Sequence, residues 1–282
     1  MSASAERTFC ERYGPWALVA GASDGIGECF ARAIAARGVS PLLLARREPK
    51  LAELAAELRA RHGVDARTIA VDLTAPDLDA RVAQATRDLE VGLLVYNAGA
   101  VHGARAFHDL PVEHAQGLVA LNCTGPLLLV HRLGSAMRAR GRGGIVLMGS
   151  MIAFSGSAWV ATYAATKAFL RILAEGLWHE LRPHGVDVLG AVAGATRTPS
   201  MLASSPGFAD YPGAMDPDEV ARGALAFLGR GPLWVAGAAN RATAKALCPV
   251  PRIPVINAMS EASASIYGLA HAPATGVEFD DD

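Results

Sequence analysis

The sequence predicts an α/β chain, a doubly wound sheet of about seven parallel strands flanked by helices on both faces. Three observations lead there. Short apolar runs alternate with segments of helical periodicity along most of the chain. The first apolar run passes directly into a glycine turn, Gly21 to Gly27, which opens onto a helical pattern. Small or polar residues, among them Gly21, Asn97 and Ser150, stand at strand ends, where open α/β sheets gather their ligands.

After a polar lead-in over residues 1–15, residues 16–20 form the first strand. The glycines at 21, 25 and 27 let the backbone approach a pyrophosphate, whose charge meets the free N–H groups of the helix start. Ile26, Phe30 and Ile34 mark the helix face, and Gly38 stops it. Residues 39–45 read as the second strand and end in Arg46 and Arg47. In a dinucleotide-binding unit this position faces the adenosine ribose, and an arginine here pairs with a 2′-phosphate, whereas a carboxylate accepts a free 2′-hydroxyl. Asp24 in the glycine turn sets a negative charge near the same place. Residues 68–71 form the third strand, followed by Asp72 and Leu73. Asp72 is suited to accept from an adenine amino group or to cap the local turn, and Leu73 to pack on the ring.

Helices are expected over 49–61 and 77–89, and a fourth strand over 92–96 leads into Asn97, Ala98 and Gly99, small enough for a cofactor to lie against. A helix over 112–138 contains Asn122, whose amide competes for backbone partners in a helix interior and so requires a reason to be there. His102 and His108 precede it in a loop. The fifth strand, 144–149, delivers Ser150. A helix over 158–181 and a sixth strand over 185–191 follow. The run 195–216 is rich in Gly, Pro and Ser yet holds Met201, Leu202 and Phe208, as a lid or substrate wall does. A helix over 217–229, a seventh strand over 231–235 and a helix over 238–247 complete the pattern. Residues 249–254 read as extended, 257–267 as a short helix, and the tail from His271 as mobile or packed on a neighbour.

Composition narrows the function classes. With 282 residues, 51% of them hydrophobic, the chain has the size of one large core, read here as a single domain over 1–282. Its cofactor part is expected over about 14–150, and its catalytic and substrate part over about 150–270. A net charge of −1 excludes general attraction to nucleic acid or to an anionic membrane. No apolar stretch reaches a membrane span, and the lead-in does not resemble a signal peptide, so the expectation is a cytoplasmic protein. The four cysteines are scattered without ligand spacing, and no metal site is expected.

Chemistry concentrates between Gly149 and Lys167. Tyr163 lies four residues before Lys167, on the same helix face, and Ser150 lies thirteen residues before Tyr163. An ammonium one helical turn from a phenol is expected to lower its pKa, as acid–base work near neutral pH requires.

Taken in order and spacing, the glycine turn, Asn97-Ala98-Gly99, Asn122, Ser150, Tyr163 and Lys167 resemble the classical short-chain dehydrogenase/reductase family over about residues 14–235. The resemblance implies a Rossmann-type fold, a homodimer or homotetramer, and interconversion of a ketone and a secondary alcohol at a nicotinamide. It implies that Gly21, Ser23, Asp24, Gly25, Ile26 and Gly27 form the cofactor loop, that Asp72 and Leu73 meet the adenine, and that Asn97, Ala98 and Gly99 lie beside the ribose. Asn122, Ser150, Tyr163 and Lys167 match the catalytic four, with Tyr163 and Lys167 also touching the cofactor. The usual Pro-Gly after the sixth strand is here Ala193-Gly194, while Thr198 is kept, so Gly194, Thr196 and Thr198 are assigned to the nicotinamide side. The Ala45-Arg46-Arg47 run is similar to that of members preferring NADP, with NAD as the alternative. The substrate walls expected from position are His102, Met151, Phe154, Trp159, Met201 and Leu202. They hold no spare Arg or Lys, which favours an apolar ketone over a sugar or a carboxylate. A cofactor-binding regulator without activity, or an epimerase or dehydratase on the same scaffold, are the competing readings.

Overall fold

The computed structural model describes residues 9–99, 104–204, 208 and 211–267. His102, part of the 195–216 run and the tail from His271 lie outside these residues. Seven strands form one parallel sheet: β1 (Trp16–Ala20), β2 (Ser40–Ala45), β3 (Arg67–Ala70), β4 (Val91–Tyr96), β5 (Gly143–Ser150), β6 (Val186–Ala193) and β7 (Leu233–Val235). Their order is β3-β2-β1-β4-β5-β6-β7. The chain therefore winds outward from β1 to one edge, returns, and winds outward from β4 to the other. The reversal between β1 and β4 opens a crevice at their carboxyl ends.

The inner strands are apolar on both faces because helices cover both. On one face lie α1 (Gly25–Ala35), α2 (Glu48–His62) and α8 (Pro217–Phe227), which bury Phe30 and Ile34, Leu51 and Leu58, and Val220 against Val19, Leu43 and Val95. On the other lie α3 (Leu78–Thr86), α5 (Gly125–Arg140) and α6 (Ala161–Leu181), which bury Leu78, Leu129, Leu170 and Trp178 against Leu18, Leu94 and Ile145. The further named helices among the described residues are α4 (Val112–Val119), α7 (Pro199–Ser204), α9 (Ala238–Leu247) and α10 (Arg252–Tyr267), besides a helical segment over 9–13. No helix among the described residues is long and apolar enough to cross a membrane.

Three departures from the sequence expectation have local causes. The helix expected over 112–138 is two helices, α4 and α5, joined by a π turn at Ala120–Thr124, and Asn122 sits within that turn. The helix expected from 158 begins at Ala161, because Trp159 takes a left-handed backbone conformation (φ 63°) that a helix cannot contain. Residues 249–254 are not extended throughout, since Arg252–Tyr267 is helical. Pro254 falls in its first turn, where a missing N–H removes no intrahelical bond.

The long helix α6 carries Tyr163, Lys167, Arg171 and Glu175 four residues apart. Glu175 is buried at 3% exposure. It accepts from Arg171 at 3.2 Å and, through both oxygens, from Arg252 at 3.0 and 2.6 Å. The Arg171 guanidinium in turn lies 4.9 Å from the Phe154 ring centroid. One carboxylate thus fastens α10 to α6.

Candidate active site

The glycine turn lies at the crevice between β1 and β4. Gly21 has φ +83°, and a Cβ there would lie 2.7 Å from the backbone of Ala98. Only glycine fits this junction. Asn97 fastens it, donating from Nδ2 to the Gly21 carbonyl at 3.2 Å. Asp24 precedes α1 without capping it by its side chain, and Ile26 and Gly27 lie in the first turn, so the leading N–H groups of this eleven-residue helix face the crevice. Thr198 closes the far side: its methyl would lie 2.8 Å from a Cβ at Gly25. Gly194 lies against Asn240 of α9, and the Thr196 hydroxyl donates to the Gly194 carbonyl at 3.0 Å.

The two arginines after β2 divide their work. Arg47 donates to the Ser23 hydroxyl at 3.0 Å and pairs with Asp24 at 3.2 Å, which offsets the negative charge of the loop. Arg46 is exposed and makes no hydrogen bond or ion pair among the described residues. Asp72 accepts from the backbone N–H of Thr74 at 2.9 Å and from its hydroxyl at 2.7 Å, the turn cap expected of it. These bonds, with Arg46 nearby, hold its carboxyl below the usual range. Leu73 is buried in the core.

At the end of β5 Ser150 stands beside the Tyr163 hydroxyl, close enough to favour its ionised form. Lys167 is buried, and its ammonium donates to the Met148 carbonyl at 2.9 Å. A Cβ at Gly99 would lie 2.9 Å from Lys167 Nζ and 3.3 Å from Asn122 Oδ1, so ammonium and amide converge beside a residue that leaves them room. Asn122 is fully buried. Its Nδ2 donates to Thr166 Oγ1 at 3.0 Å, and that hydroxyl donates to the Tyr163 carbonyl at 2.9 Å. Asn122 Oδ1 has no partner among the described residues. The π turn is what aims this amide at α6 instead of into its own helix. Thr166 is a site residue that the sequence reading missed, although its place one turn after Tyr163 was a usable signal.

The protonation of this group differs from the sequence expectation. Burial raises the Tyr163 pKa above its ordinary value and Ser150 beside it draws it partly back, with no lowering from Lys167. The ammonium lies 5.9 Å from the ring centroid and points to a backbone carbonyl. Lys167 itself is lowered to about 8, chiefly by burial.

A cavity of about 200 Å³ adjoins Tyr163, walled by Phe107, Leu118, Trp159 and Val160. Of the expected wall residues it contains Trp159. Met151 and Phe154 pack instead against Val192, Val235 and Ala244, because the short 3₁₀ turn after β5 folds them toward the sheet. Met201 and the exposed Leu202 lie on α7. This cavity differs from the expected walls, which held no Arg or Lys: Arg105 lines it, together with His108 and His114. The sequence reading missed Arg105 because its loop joins the site only through tertiary folding.

These residues fit a nicotinamide dinucleotide: a glycine cradle at a helix start, a cleft bounded by Ala98, Gly99 and Thr198, and an unpaired buried acceptor beside a buried amine. Comparison with known proteins agrees. Residues 15–206 match the family described as short chain dehydrogenase. The chain is 33% identical over 235 residues to the 7beta-hydroxysteroid dehydrogenase of Collinsella aerofaciens, covering 82% of this chain and 89% of that one. A structure solved in work on 7beta-hydroxysteroid dehydrogenase stereoselectivity superposes with a TM-score of 0.80 at 31% identity, covering 89% of this chain and 99% of the other. A short-chain dehydrogenase from Sphingobium yanoikuyae in complex with NADPH gives a TM-score of 0.74 at 29% identity, covering 95% and 100%. The chain therefore belongs to the short chain dehydrogenase family and is an NAD(P)-dependent oxidoreductase.

Proposed function

We propose that this enzyme interconverts a bulky apolar ketone and its secondary alcohol, prefers NADP, and uses Tyr163 as its general acid and base. The observation that carries the proposal is the Tyr163 hydroxyl, beside Ser150 at the carboxyl edge of the sheet and lining a largely apolar cavity. When bound, the nicotinamide supplies or accepts the hydride. Tyr163, protonated at neutral pH because its pKa is raised, gives its proton to the carbonyl oxygen of the substrate. Ser150 holds that oxygen by a second hydrogen bond, and the surrounding apolar wall strengthens both bonds by excluding water. Gly99 leaves room for cofactor hydroxyls against the Lys167 ammonium. Asn122, whose own Oδ1 has no partner among the described residues, is suited to hold the water through which a proton returns to Tyr163.

The exposed Arg46 is the residue proposed to meet the 2′-phosphate, Arg47 being occupied by Asp24. The NADPH complex of the Sphingobium yanoikuyae relative supports that preference, and the 7beta-hydroxysteroid dehydrogenase relatives support a polycyclic substrate. Homo-oligomerisation is proposed with the family.

A screen of steroid, aromatic and 3-oxoacyl carbonyls identifies a substrate. On it, Tyr163→Phe is expected to lower kcat by roughly 10²- to 10⁴-fold while NADPH still binds. A loss below about tenfold rules out Tyr163 as the acid.

A further inference from the structure

We infer that Thr166 is a positioning residue: its hydroxyl fixes the Asn122 carboxamide in one of two orientations, the one that turns the amide oxygen to the side of the Lys167 ammonium. The inference deepens the proposed function and rests on it for the part that Lys167 and Tyr163 play in proton transfer.

A carboxamide has nearly the same shape either way round, so packing alone does not choose between its oxygen and its NH2 group. Proton count makes the choice here. A threonine hydroxyl has one proton to give and two lone pairs to receive. The Thr166 proton goes to the Tyr163 carbonyl, at 2.9 Å within α6. What remains for Asn122 is a lone pair, so only the NH2 end of the amide can bond there, and Nδ2 donates to Thr166 Oγ1 at 3.0 Å. Asn122 is fully buried and Thr166 nearly so, which keeps water from competing for these bonds. The backbone that carries the amide is held as well. The buried Tyr96 hydroxyl donates to the Leu121 carbonyl at 2.6 Å, in the π turn and next to Asn122.

The orientation decides what lies beside Lys167. Asn122 Oδ1 and Lys167 Nζ flank one point, where a Cβ at Gly99 would stand 3.3 Å from the first and 2.9 Å from the second. Oδ1 has no hydrogen-bond partner among the described residues, and the Met148 carbonyl takes one of the three ammonium protons. With the oxygen on this side, the negative end of the amide dipole faces a cation enclosed at a cost. With the amide reversed, its NH2 donors would face the ammonium instead. The titratable groups beside Lys167 are the Cys123 thiol on the π turn and the Tyr163 phenol on α6. Burial holds both above their ordinary pKa, so neither brings a negative charge at neutral pH. A neutral dipole therefore carries weight here that a neighbouring carboxylate would swamp.

Neutron diffraction from a deuterium-exchanged wild-type crystal locates the protons directly. Two deuterons are expected on the amide atom facing Thr166, with the Thr166 deuteron aimed at the Tyr163 carbonyl. Deuterons on the amide atom facing Lys167 overturn the inference. On a ketone found by screening, Thr166→Val removes the hydroxyl at nearly constant volume. It should lower kcat roughly 5- to 10-fold, the effect of one hydrogen bond, with KM for the ketone held. The alkaline limb of the reduction, set by loss of the Lys167 proton near pH 8, should move to lower pH, because an ammonium without a facing oxygen is the stronger acid. Thr166→Ser keeps the hydroxyl and should restore both rate and limb. On an Asn122→Ala background, Thr166→Val should cost no further rate, whereas a merely structural threonine costs the same on both backgrounds. Unchanged kcat and limb in Thr166→Val, or an equal loss on both backgrounds, overturns the positioning role and leaves the proposed reaction standing. If no ketone is reduced, the proposed reaction fails separately. In that case, or if Thr166→Val does not fold, the neutron map decides the orientation by itself.

Discussion

Lys167 is a cation carried into the interior by a helix whose other groups belong there. Its ammonium has one backbone carbonyl for a partner, and burial lowers its pKa from 10.5 to about 8. Below about pH 8 both folded and unfolded chains hold this proton, and the folded state bears the full cost of enclosing it. Between about pH 8 and 10.5 the folded chain releases the proton while the unfolded chain keeps it, so the contribution of Lys167 to stability rises with pH across that window. Lys167→Met should abolish activity yet raise stability at pH 7 by about 1–2 kcal/mol, the removed burial cost less one lost hydrogen bond. Urea titrations at pH 7 and pH 10 check this, and the gap between variant and wild type must close at the higher pH. The spacing of Tyr163 and Lys167 made the pair legible in the sequence. The direction of the phenol's shift was not, because it depends on how deeply the hydroxyl is enclosed and on where the ammonium points.

Helix α6 is more than a carrier for two catalytic candidates. Its second half carries Glu175, which two arginines share and which holds α10 in place. Replacing Arg252 by Met leaves a buried carboxylate with Arg171 as its remaining partner, and should destabilise the chain by about 2 kcal/mol. Adding Glu175→Gln should recover part of that loss, as measured by a double-mutant cycle in urea. Additive effects would mean that the two side chains act independently. Element types followed from apolar spacing, and the strands emerged within two residues of their expected bounds. The π turn at Asn122 and the turn at Trp159 did not emerge, since each is an adjustment of the backbone to its packing partners. Asn122 was nevertheless a legible anomaly, a poor helix residue in a helical pattern.

At the scale of the molecule, the reversal of strand order between β1 and β4 brings residues from distant parts of the sequence to one crevice. Gly21, Asn97, Ser150 and Thr198 each follow or end a different strand, and α6 returns Tyr163 and Lys167 across the same edge. A ligand spanning that crevice bridges both halves of the sheet and must stabilise the whole fold. NADPH at a hundred times its Kd should therefore add about 2.7 kcal/mol, seen as a rise of roughly 5–10 °C in thermal denaturation. NADH at the same concentration should give a smaller rise, and equal rises would remove Arg46 from its proposed role. This much of the architecture was legible because central parallel strands read as unbroken apolar runs and because the glycine turn marks the first crossover. The place of Arg105 in the cavity lining was not legible. Arg105 is separated from Tyr163 by most of a sheet unit, and only the fold of the intervening chain makes them neighbours.

The stripe along α6 has a further consequence for how this chain can vary. Tyr163, Lys167, Arg171 and Glu175 depend on a common helical phase, and each residue of an α-helix advances that phase by about 100°. Substitution at any one position alters one contact. Insertion or deletion of a single residue between Tyr163 and Lys167 turns these two side chains out of alignment and, from the same error, rotates the carboxylate that anchors α10. In length, though not in composition, this segment is the least negotiable part of the sequence.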